Sequence, residues 1–96
     1  MTTASSVARD RIPVPADHVE TELVDNEVLL FHPRQTAAVY LNATAAMVWG
    51  LCDGVRTVGD IIALLEGAYP DAEATIVADV EDAFQSLHKD GMIVLR

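Results

Sequence analysis

The hydrophobic pattern of the chain changes its period once, near residue 42, and no other feature constrains the fold as strongly. Before this point, in runs such as His18–Leu23, apolar residues alternate with polar ones, as expected of half-buried strands. After it, apolar residues recur every three to four positions, as expected of amphipathic helices. The sequence therefore predicts an α+β domain in which strands come first and helices follow.

Three short strands are predicted in the first half of the chain. They are separated by clusters of turn-forming residues, and strands joined by short turns are typical of an antiparallel meander. The predicted strands are His18–Leu23, Val28–His32 and Ala37–Leu41, and the turns between them are Asp25–Glu27 and Pro33–Thr36.

Three helices are predicted in the second half from their capping residues. Asn42 is a favourable N-cap for the first helix. Thr57, with Asp60 three residues later, forms a variant of the capping box for the second, and Gly91 suits the position after the third. The predicted helices run from about Ala43 to Asp53 before Gly54, from Thr57 to Tyr69–Pro70, and from between Asp71 and Thr75 to Asp90.

Each predicted helix carries one apolar stripe that can pack against the rest of the fold. A last apolar run, Met92–Leu95, follows the third helix and forms either a short strand or a plug. Three short helices with a small antiparallel sheet indicate winged-helix-like packing, here with the three-stranded sheet placed before the three-helix bundle. The predicted stripes are Ala45, Val48, Trp49 and Cys52; Ile61, Leu64, Leu65 and Ala68; and Val77, Val80, Phe84 and Leu87.

Length and charge restrict both the size of the fold and its partners. The chain has 96 residues and a formal net charge of −9, which suits a single domain with one modest core. Its six basic residues are scattered singly, whereas affinity for nucleic acid depends on Lys and Arg that neutralise phosphates. The composition therefore argues against nucleic acid and anionic membranes, and it favours a protein or peptide partner.

The same inspection predicts the compartment and the limits of the domain. The apolar stretch Ala45–Cys52 is far shorter than the ~20 residues of a membrane span. Met1–Asp10 carries no targeting signal, and a single cysteine excludes an internal disulfide, so we expect a soluble cytoplasmic protein. Residues 1–16 are interpreted as a flexible N-terminal tail in which Ile12–Pro15 could lie extended, and residues 17–96 as the folded domain.

Several motifs, taken in order, resemble the PqqD-like family. The family pattern is a strand ending in Leu-Asn, then Thr-Ala, an Asp-Gly turn, a helix begun by threonine, and a last helix that ends before Gly-Leu-Leu. The matching residues are Leu41-Asn42, Thr44-Ala45, Asp53-Gly54, Thr57 and Gly91-Met92-Ile93, within a resemblance that covers about His18 to Leu95. Each motif is weak alone, and the order and spacing of the motifs carry the resemblance.

The resemblance implies a binding role without chemistry of its own. Members of this family are peptide chaperones, or recognition elements, that bind the leader segment of a ribosomally made precursor peptide and deliver it to a modifying enzyme. That enzyme is a radical SAM protein in the pyrroloquinoline quinone pathway, and a leader peptidase and a cyclase in lasso-peptide pathways. The resemblance implies no cofactor, and it leaves the pathway open.

The binding mode of the family points to one edge of the sheet. The leader is added as a strand to the third strand, where an exposed edge offers free N–H and C=O groups. On this sequence Val39 and Leu41 are expected to face the core, with Ala38 and Tyr40 on the opposite face. Such an exposed edge leaves both a monomer and a homodimer open.

The third helix supplies the second wall of the groove in this family. The stripe beside its core stripe contains Ile76 and Ala83, which offer apolar contact, and Asp79, which could receive a basic residue of the leader or cap a backbone N–H. The full set of residues implied for peptide binding is Ala38, Val39, Tyr40, Leu41, Ile76, Asp79, Ala83 and Ser86.

No catalytic or metal-binding constellation is predicted. Cys52 could act as a nucleophile, but it falls on an apolar helical stripe, where a cysteine is typically a buried structural thiol. The histidines share no metal-ligand spacing with Cys52 or with one another, and the glycines form no phosphate-binding loop. The histidines are His18, His32 and His88.

Some interpretations stay open at this point. Trp49 belongs either to the core or to an exposed hot spot, and Tyr40 packs either on a neighbour or in the groove. The acidic cluster of Asp79, Glu81 and Asp82 is either a solvated face or a groove wall. Two rival functions also remain: a subunit that tethers or activates an enzyme, and a winged-helix DNA-binding regulator, although both candidate recognition helices lack basic residues.

Overall fold

Over residues 7–25, 27–32 and 38–96, which the computed structural model describes, five strands are combined with three α-helices. The strands occupy the beginning and the end of this order, and the helices lie together between β4 and β5. The elements are β1 (Pro13–Pro15), β2 (Glu20–Val24), β3 (Glu27–Phe31), β4 (Val39–Leu41), α1 (Ala43–Leu51), α2 (Val58–Ala68), α3 (Glu73–Lys89) and β5 (Ile93–Leu95). The predicted α+β class, with a three-stranded antiparallel sheet followed by three helices, is confirmed.

The main sheet has the strand order β2-β3-β4, and both pairings are antiparallel. Alternation along the strands turns Leu30 and Leu41 toward the helices, and both side chains are buried in the core. The hairpin between β2 and β3 begins at Asp25, whose φ of 49° is the left-handed conformation that two-residue hairpin loops require. Two local features, alternation and a tight turn, thus set the register of this sheet.

Some sequence predictions for the strands are adjusted or lie outside the described residues. The first predicted strand is shifted to Glu20–Val24, and the third is shortened to Val39–Leu41, so that Ala38 precedes the strand. Asn26, the turn Pro33–Thr36 and Ala37 lie outside the described residues. Strand ends are the least certain part of a pattern-based prediction, because single residues at an end contribute little to the alternation.

The caps of the helices form as the sequence predicts. The Asn42 side-chain oxygen accepts a hydrogen bond from the backbone N–H of Ala45 at 2.8 Å, which begins α1. At the start of α2, Thr57 Oγ1 accepts from the N–H of Asp60, and the Asp60 carboxylate accepts from the N–H of Thr57, each at 3.0 Å. These bonds satisfy donors that would otherwise lack partners in the first turn of each helix.

Helix α3 ends in a Schellman motif at Gly91. Gly91 has a φ of 76°, its N–H bonds to the carbonyl of His88 at 3.1 Å, and the N–H of Met92 bonds to the carbonyl of Leu87 at 2.9 Å. The chain then reverses direction into β5. This confirms the predicted role of Gly91 and selects a strand, rather than a plug, for the last apolar run.

The core is built where the three helices meet the inner face of the sheet. Helices α1 and α2 both pack on α3, whose Val80, Phe84 and Leu87 are almost completely buried. Burial of an aromatic side chain such as Phe84 stabilises a fold by roughly 1.5–3 kcal/mol. The core cluster comprises Leu30, Leu41, Ala45, Val48, Cys52, Val58, Ile61, Ile62, Leu65, Ile76, Val80, Ala83, Phe84, Leu87, Met92 and Ile93.

The buried face of α2 differs from its predicted stripe. Leu64 and Ala68 were predicted to be buried, and both are exposed, whereas Val58 and Ile62 are buried. Positions 58, 61, 62 and 65 also have helical spacing, and this face is the one that α2 turns toward the core. The prediction for Leu64 and Ala68 was therefore wrong, because the sequence allowed two overlapping stripes.

The N-terminal segment is joined to the end of the chain by a second, two-stranded sheet. Strand β1 pairs with β5 in antiparallel fashion, the backbones of Ile12 and Arg96 exchange two hydrogen bonds of 2.9 Å, and the N–H of Ala16 bonds to the carbonyl of Met92 at 2.8 Å. The backbone N–H and C=O groups of every second residue in a strand point toward the partner strand. Pro13 and Pro15 occupy the other positions, where a backbone N–H would point away from β5. The segment lies extended, as expected for Ile12–Pro15, but residues 12–16 are bound rather than a flexible tail.

The same segment also covers the first turn of α2. The carbonyl of Arg11 accepts a hydrogen bond from the N–H of Val58 at 2.8 Å, and the carbonyl of Arg9 accepts from the N–H of Gly59 at 2.9 Å. A Cβ atom at position 59 would lie 3.2 Å from the Arg9 carbonyl oxygen, so glycine permits this close approach. Residues 9–11 therefore contribute to the cap of α2 from a distant part of the sequence.

Trp49 and Cys52 occupy different environments on α1. Trp49 is half-buried against the core, and its Nε1–H donates to Thr21 Oγ1 at 3.2 Å, which ties α1 to β2. Cys52 is buried, and its thiol donates to the carbonyl of Val48 at 3.2 Å. No helix in the described part of the chain is both long and apolar enough to cross a membrane.

Candidate functional site

A groove runs between the outer edge of β4 and the adjacent face of α3. It encloses a cavity of about 260 Å³, slightly below the ~300–1,000 Å³ of pockets that take drug-sized ligands. This volume suits individual side chains of a peptide better than a complete cofactor. The lining residues are Val39, Tyr40, Leu41, Asn42, Ala45, Asp79, Asp82, Ala83, Ser86, Leu87 and Asp90.

The strand wall of the groove is an open sheet edge. Strand β4 is the last strand of its sheet, and on the described part of the chain nothing pairs with its outer side. The two-residue loop pairs Val24 with Glu27 as the hydrogen-bonded closing pair of the β2–β3 hairpin. Along an antiparallel ladder, hydrogen-bonded pairs alternate with non-hydrogen-bonded pairs, so this closing pair fixes which residues bond across each strand. On β4, the backbones of Val39 and Leu41 bond to β3, and Tyr40 directs its N–H and C=O away from the sheet.

The helix wall consists of one stripe of α3. Positions 79, 83, 86 and 90 follow one another at helical spacing, and Asp82 and Leu87 flank them. Ala83 and Leu87 are buried and form the apolar floor, whereas Asp79 and Asp82 are exposed at the rim. The groove therefore combines an apolar floor, a free backbone edge and an acidic rim.

Six of the eight residues predicted for the site line this cavity. They are Val39, Tyr40, Leu41, Asp79, Ala83 and Ser86. The structure does not bring the other two to it: Ala38 lies half-buried before β4, and Ile76 is buried in the core cluster. Since β4 has only three residues, or ~10 Å of strand, it borders only part of α3, and Ile76 falls beyond that part.

Five lining residues are absent from the set that the sequence analysis gave for peptide binding. Asn42 and Ala45 follow β4 directly and lie where the strand passes into α1. Asp82, Leu87 and Asp90 belong to α3, and Asp90 continues the predicted stripe by one further turn. An extension of the 79–83–86 spacing would have found Asp90, and Asp82 belongs to the acidic cluster that the sequence left open as either a solvated face or a groove wall.

The electrostatic character of the groove is one-sided. Its lining contains three carboxylates and none of the Lys, Arg or His side chains. Among the described residues, two arginines form ion pairs with other acids: Arg9 with Glu81 at 3.7 Å, and Arg56 with Asp53 at 2.9 Å. Neither pair involves a lining residue, so the negative charge of the rim is not compensated by these arginines.

Outside the groove, two neighbouring ionisable groups of the described chain, Cys52 and Asp53, have shifted pKa values. Burial raises the pKa of the Cys52 thiol to about 12, with a smaller contribution from the Asp53 carboxylate. The pKa of Asp53 is lowered by the backbone N–H groups of Arg56 and Val55, whose hydrogen bonds its carboxylate accepts. Within the described ranges, no three His, Cys, Asp or Glu residues are grouped so that they could hold a metal ion.

A second cavity, of about 370 Å³, lies between α1 and α2. The hydroxyl of Tyr69 donates to the sulfur of Met47 at 3.3 Å across it. No strand contributes to its walls, so a peptide there would find no free backbone edge to pair with. Its lining is Ala46, Met47, Gly50, Leu51, Leu65, Ala68 and Tyr69.

Comparison with protein-family models matches residues 27–93 to the family described as coenzyme PQQ synthesis protein D (PqqD). The chain belongs to the PqqD family. The matched range runs from β3 to the first residue of β5 and therefore contains both walls of the groove. The resemblance carried by the sequence motifs is thereby confirmed.

Among solved structures, this PqqD-family chain is similar to one described as TbiB1 in complex with the TbiA(beta) leader peptide. The two share 21% sequence identity with a TM-score of 0.68, over 83% of this chain and 93% of the other. At that identity the similarity establishes a common fold. No curated protein matches the chain.

Proposed function

We propose that this PqqD-family protein binds the leader segment of a ribosomally made precursor peptide by strand addition and presents it to a modifying enzyme. The observation that carries the proposal is the open edge of β4 beside a groove that contains a cavity. A peptide strand placed there would satisfy the outward N–H and C=O groups of Tyr40, and its side chains would enter the cavity. Family membership, and a related fold whose description includes a leader peptide, support the proposal.

The role requires no reacting group in this chain. Its single thiol, Cys52, is buried in the core with a raised pKa, which is opposite to what a nucleophilic cysteine needs. The modifying enzyme would carry the chemistry: a radical SAM protein in a pyrroloquinoline quinone-type pathway, or a peptidase and a cyclase in a lasso-type pathway. The chain would act as a non-enzymatic recognition element in either case.

Titration by NMR tests this function directly. The isotope-labelled full chain is titrated with a synthetic leader taken from the short reading frame beside its gene. We expect amide shifts in residues 38–42 and on the 79–90 face of α3, and we expect the shifts around Gly50 and Tyr69 to be small, because that cavity has no free strand edge.

Three results would contradict the proposal. Absence of shifts with the correct leader would favour a subunit that only tethers or activates its enzyme, and capture of that enzyme from solution would then be the next experiment. Shifts centred on Tyr69 would move the peptide to the second cavity. Tight binding of duplex DNA at low salt would overturn the exclusion of a winged-helix regulator, despite the net charge of −9.

A further inference from the structure

From the two walls of the groove we infer the class of peptide that it selects: an extended segment with an aliphatic residue and a Lys or Arg two positions apart. This inference rests on the proposed function, because it describes the peptide that would occupy the β4–α3 groove. The aliphatic side chain fills the apolar floor at Ala83 and Leu87, and the basic side chain lies at the acidic rim formed by Asp79 and Asp82.

The charge of the groove supports a basic residue. The carboxylates of Asp79 and Asp82 are exposed at the rim, and neither forms an ion pair with a described residue. A positive side chain brought to this rim would meet two negative groups and no positive group of the lining. An acidic side chain at the same place would be repelled, so the rim discriminates by attraction and by repulsion.

The spacing along α3 supports a separation of two residues. Asp79 and Asp82 are three positions apart, so their carboxylates start ~4.5 Å apart along the helix axis and one basic side chain can reach both. Their midpoint lies four and a half positions, or ~7 Å, before the midpoint of Ala83 and Leu87. Side chains on one face of a strand repeat every ~6.6–6.8 Å, so a peptide running along α3 spans that distance with residues i and i+2.

The floor accounts for the aliphatic residue. Ala83 and Leu87 are 6% and 1% exposed, and they form the apolar floor of a mixed polar and apolar cavity beside the edge that the peptide would pair with. A small residue at position 83 keeps this space open, since a larger side chain there would occupy it. Transfer of a Leu or Ile side chain from water into such a space favours binding by the hydrophobic effect.

Selection from a random dodecapeptide library displayed on mRNA tests the inference and does not require the leader itself. Four full-length proteins are used as bait: the wild type, the double variant Asp79→Asn/Asp82→Asn, the control Asp71→Asn, and the strand-edge variant Tyr40→Pro. Asp71 is also exposed and acidic, but it lies outside the lining of the groove. Circular dichroism verifies that all four are folded before selection.

We expect the wild type and the Asp71→Asn control to enrich peptides with Lys or Arg two positions from Leu, Ile or Val. The double variant should keep the aliphatic preference and lose the basic one. For one enriched peptide, replacement of the basic residue by norleucine should weaken binding to the wild type roughly two- to fivefold, as for an exposed ion pair. The ratio of the two dissociation constants should approach one at high salt and in the double variant.

The failure of the inference is distinguishable from the failure of the function. Enrichment of aliphatic residues with no basic preference, or a basic preference that survives in the double variant, overturns the inference and leaves peptide binding intact. A Tyr40→Pro variant that selects the same peptides as the wild type shows that they bind elsewhere, which overturns both. Failure of the wild type to enrich any peptide counts against both. Loss of the basic preference in Asp71→Asn as well counts against the acidic rim alone as the selective element.

Discussion

The three-stranded sheet has two outer edges, and they differ in what lies beside them. The β4 edge directs the N–H and C=O of Tyr40 into a groove whose other wall is α3. At the β2 edge, the alternation of hydrogen-bonded pairs directs the N–H and C=O groups of Thr21 and Leu23 outward. All five residues of β2 are exposed, so the described residues form no second wall beside this edge. No residue of β2 lines either of the two cavities described above.

The difference teaches that a free strand edge is not sufficient for a binding site. Both edges offer unsatisfied backbone groups, which any extended peptide could pair with. Only β4 adds a cavity that takes side chains and thereby distinguishes one peptide from another. On β2, the acidic Glu20 and Glu22 would meet their own copies in an antiparallel pairing, which disfavours self-association at that edge.

The largest expected effect concerns the core that both edges share. Cys52 lies in this core, and burial raises the pKa of its thiol to about 12 from an ordinary value of 9.0. At pH 8 we expect a disulfide reagent to modify the native thiol roughly a thousandfold more slowly than the unfolded one, since the thiolate is the reactive form. As the pH rises above 9, the unfolded thiol ionises while the native one does not, so stability should fall, and Cys52→Ala should remove this contribution.

This labelling rate also serves as the control for changes at either edge. A proline variant of β2 or β4 that keeps slow labelling of Cys52 has kept the shared core. Rapid labelling of the unaltered protein would instead mean that the core opens freely, and edge-specific effects could then not be assigned.

Tyr40→Pro should produce the largest change in peptide affinity. The substitution removes the outward N–H and leaves the bonds of Val39 and Leu41 to β3 in place, because an edge strand tolerates proline at an outward position. We expect affinity for the leader to fall more than tenfold by fluorescence anisotropy. Tyr40→Phe, which keeps the N–H, should bind within twofold of the wild type.

Leu23→Pro is the matched change at the other edge. It removes an outward N–H from β2, where Leu23 is 71% exposed, and it should leave leader affinity within twofold of the wild type. Loss of binding in this variant with Cys52 still protected would show that the peptide uses β2, and the comparison of the two edges would be reversed.

Filling the groove should have a smaller effect than removing the backbone donor. Ser86 lies on the helix wall, and Ser86→Trp would place an indole over the cavity, so we expect leader affinity to fall about fivefold to tenfold. His88→Trp puts the same side chain on the opposite side of α3, outside the lining, and should bind normally. Equal losses in the two variants would argue against the groove as the site.

The smallest effect is expected where α1 holds β2. Trp49→Phe removes the hydrogen bond from Nε1 to Thr21 Oγ1 and should lower the free energy of unfolding by about 0.5–1 kcal/mol in urea. Thr21→Val removes the same bond, and the double variant should cost less than the sum of the two single changes. Leader affinity should stay constant, since this contact supports the β2 edge and not the β4 edge.

The sequence predicted features that depend on neighbouring residues. The caps at Asn42, Thr57 and Gly91 form as predicted, because the bonds of each span no more than five positions of the chain. The order of strands and helices follows from periodicity in the same way. The groove itself was implied by the resemblance to the PqqD family, and six of the eight residues implied for it line the cavity.

The features that the sequence did not predict depend on distant residues. The bond between the N–H of Gly59 and the carbonyl of Arg9 joins positions 50 residues apart. Pairing of β1 with β5 joins opposite parts of the chain, and no local pattern records it. The exposure of Leu64 depends on how α2 rotates in the packed bundle, and the position of Ile76 depends on how far the short strand β4 extends along α3; periodicity leaves both undetermined.

The alternating prolines of β1 limit the pairing of the small sheet. Pro13 and Pro15 allow β1 to be accepted by β5, yet they leave its far side without the donors that a further strand would need. Such a strand can pair with one neighbour, but it cannot pair with a second neighbour on its other side. The β1 side of this two-stranded sheet is thus protected against the edge-to-edge pairing by which fibrils grow.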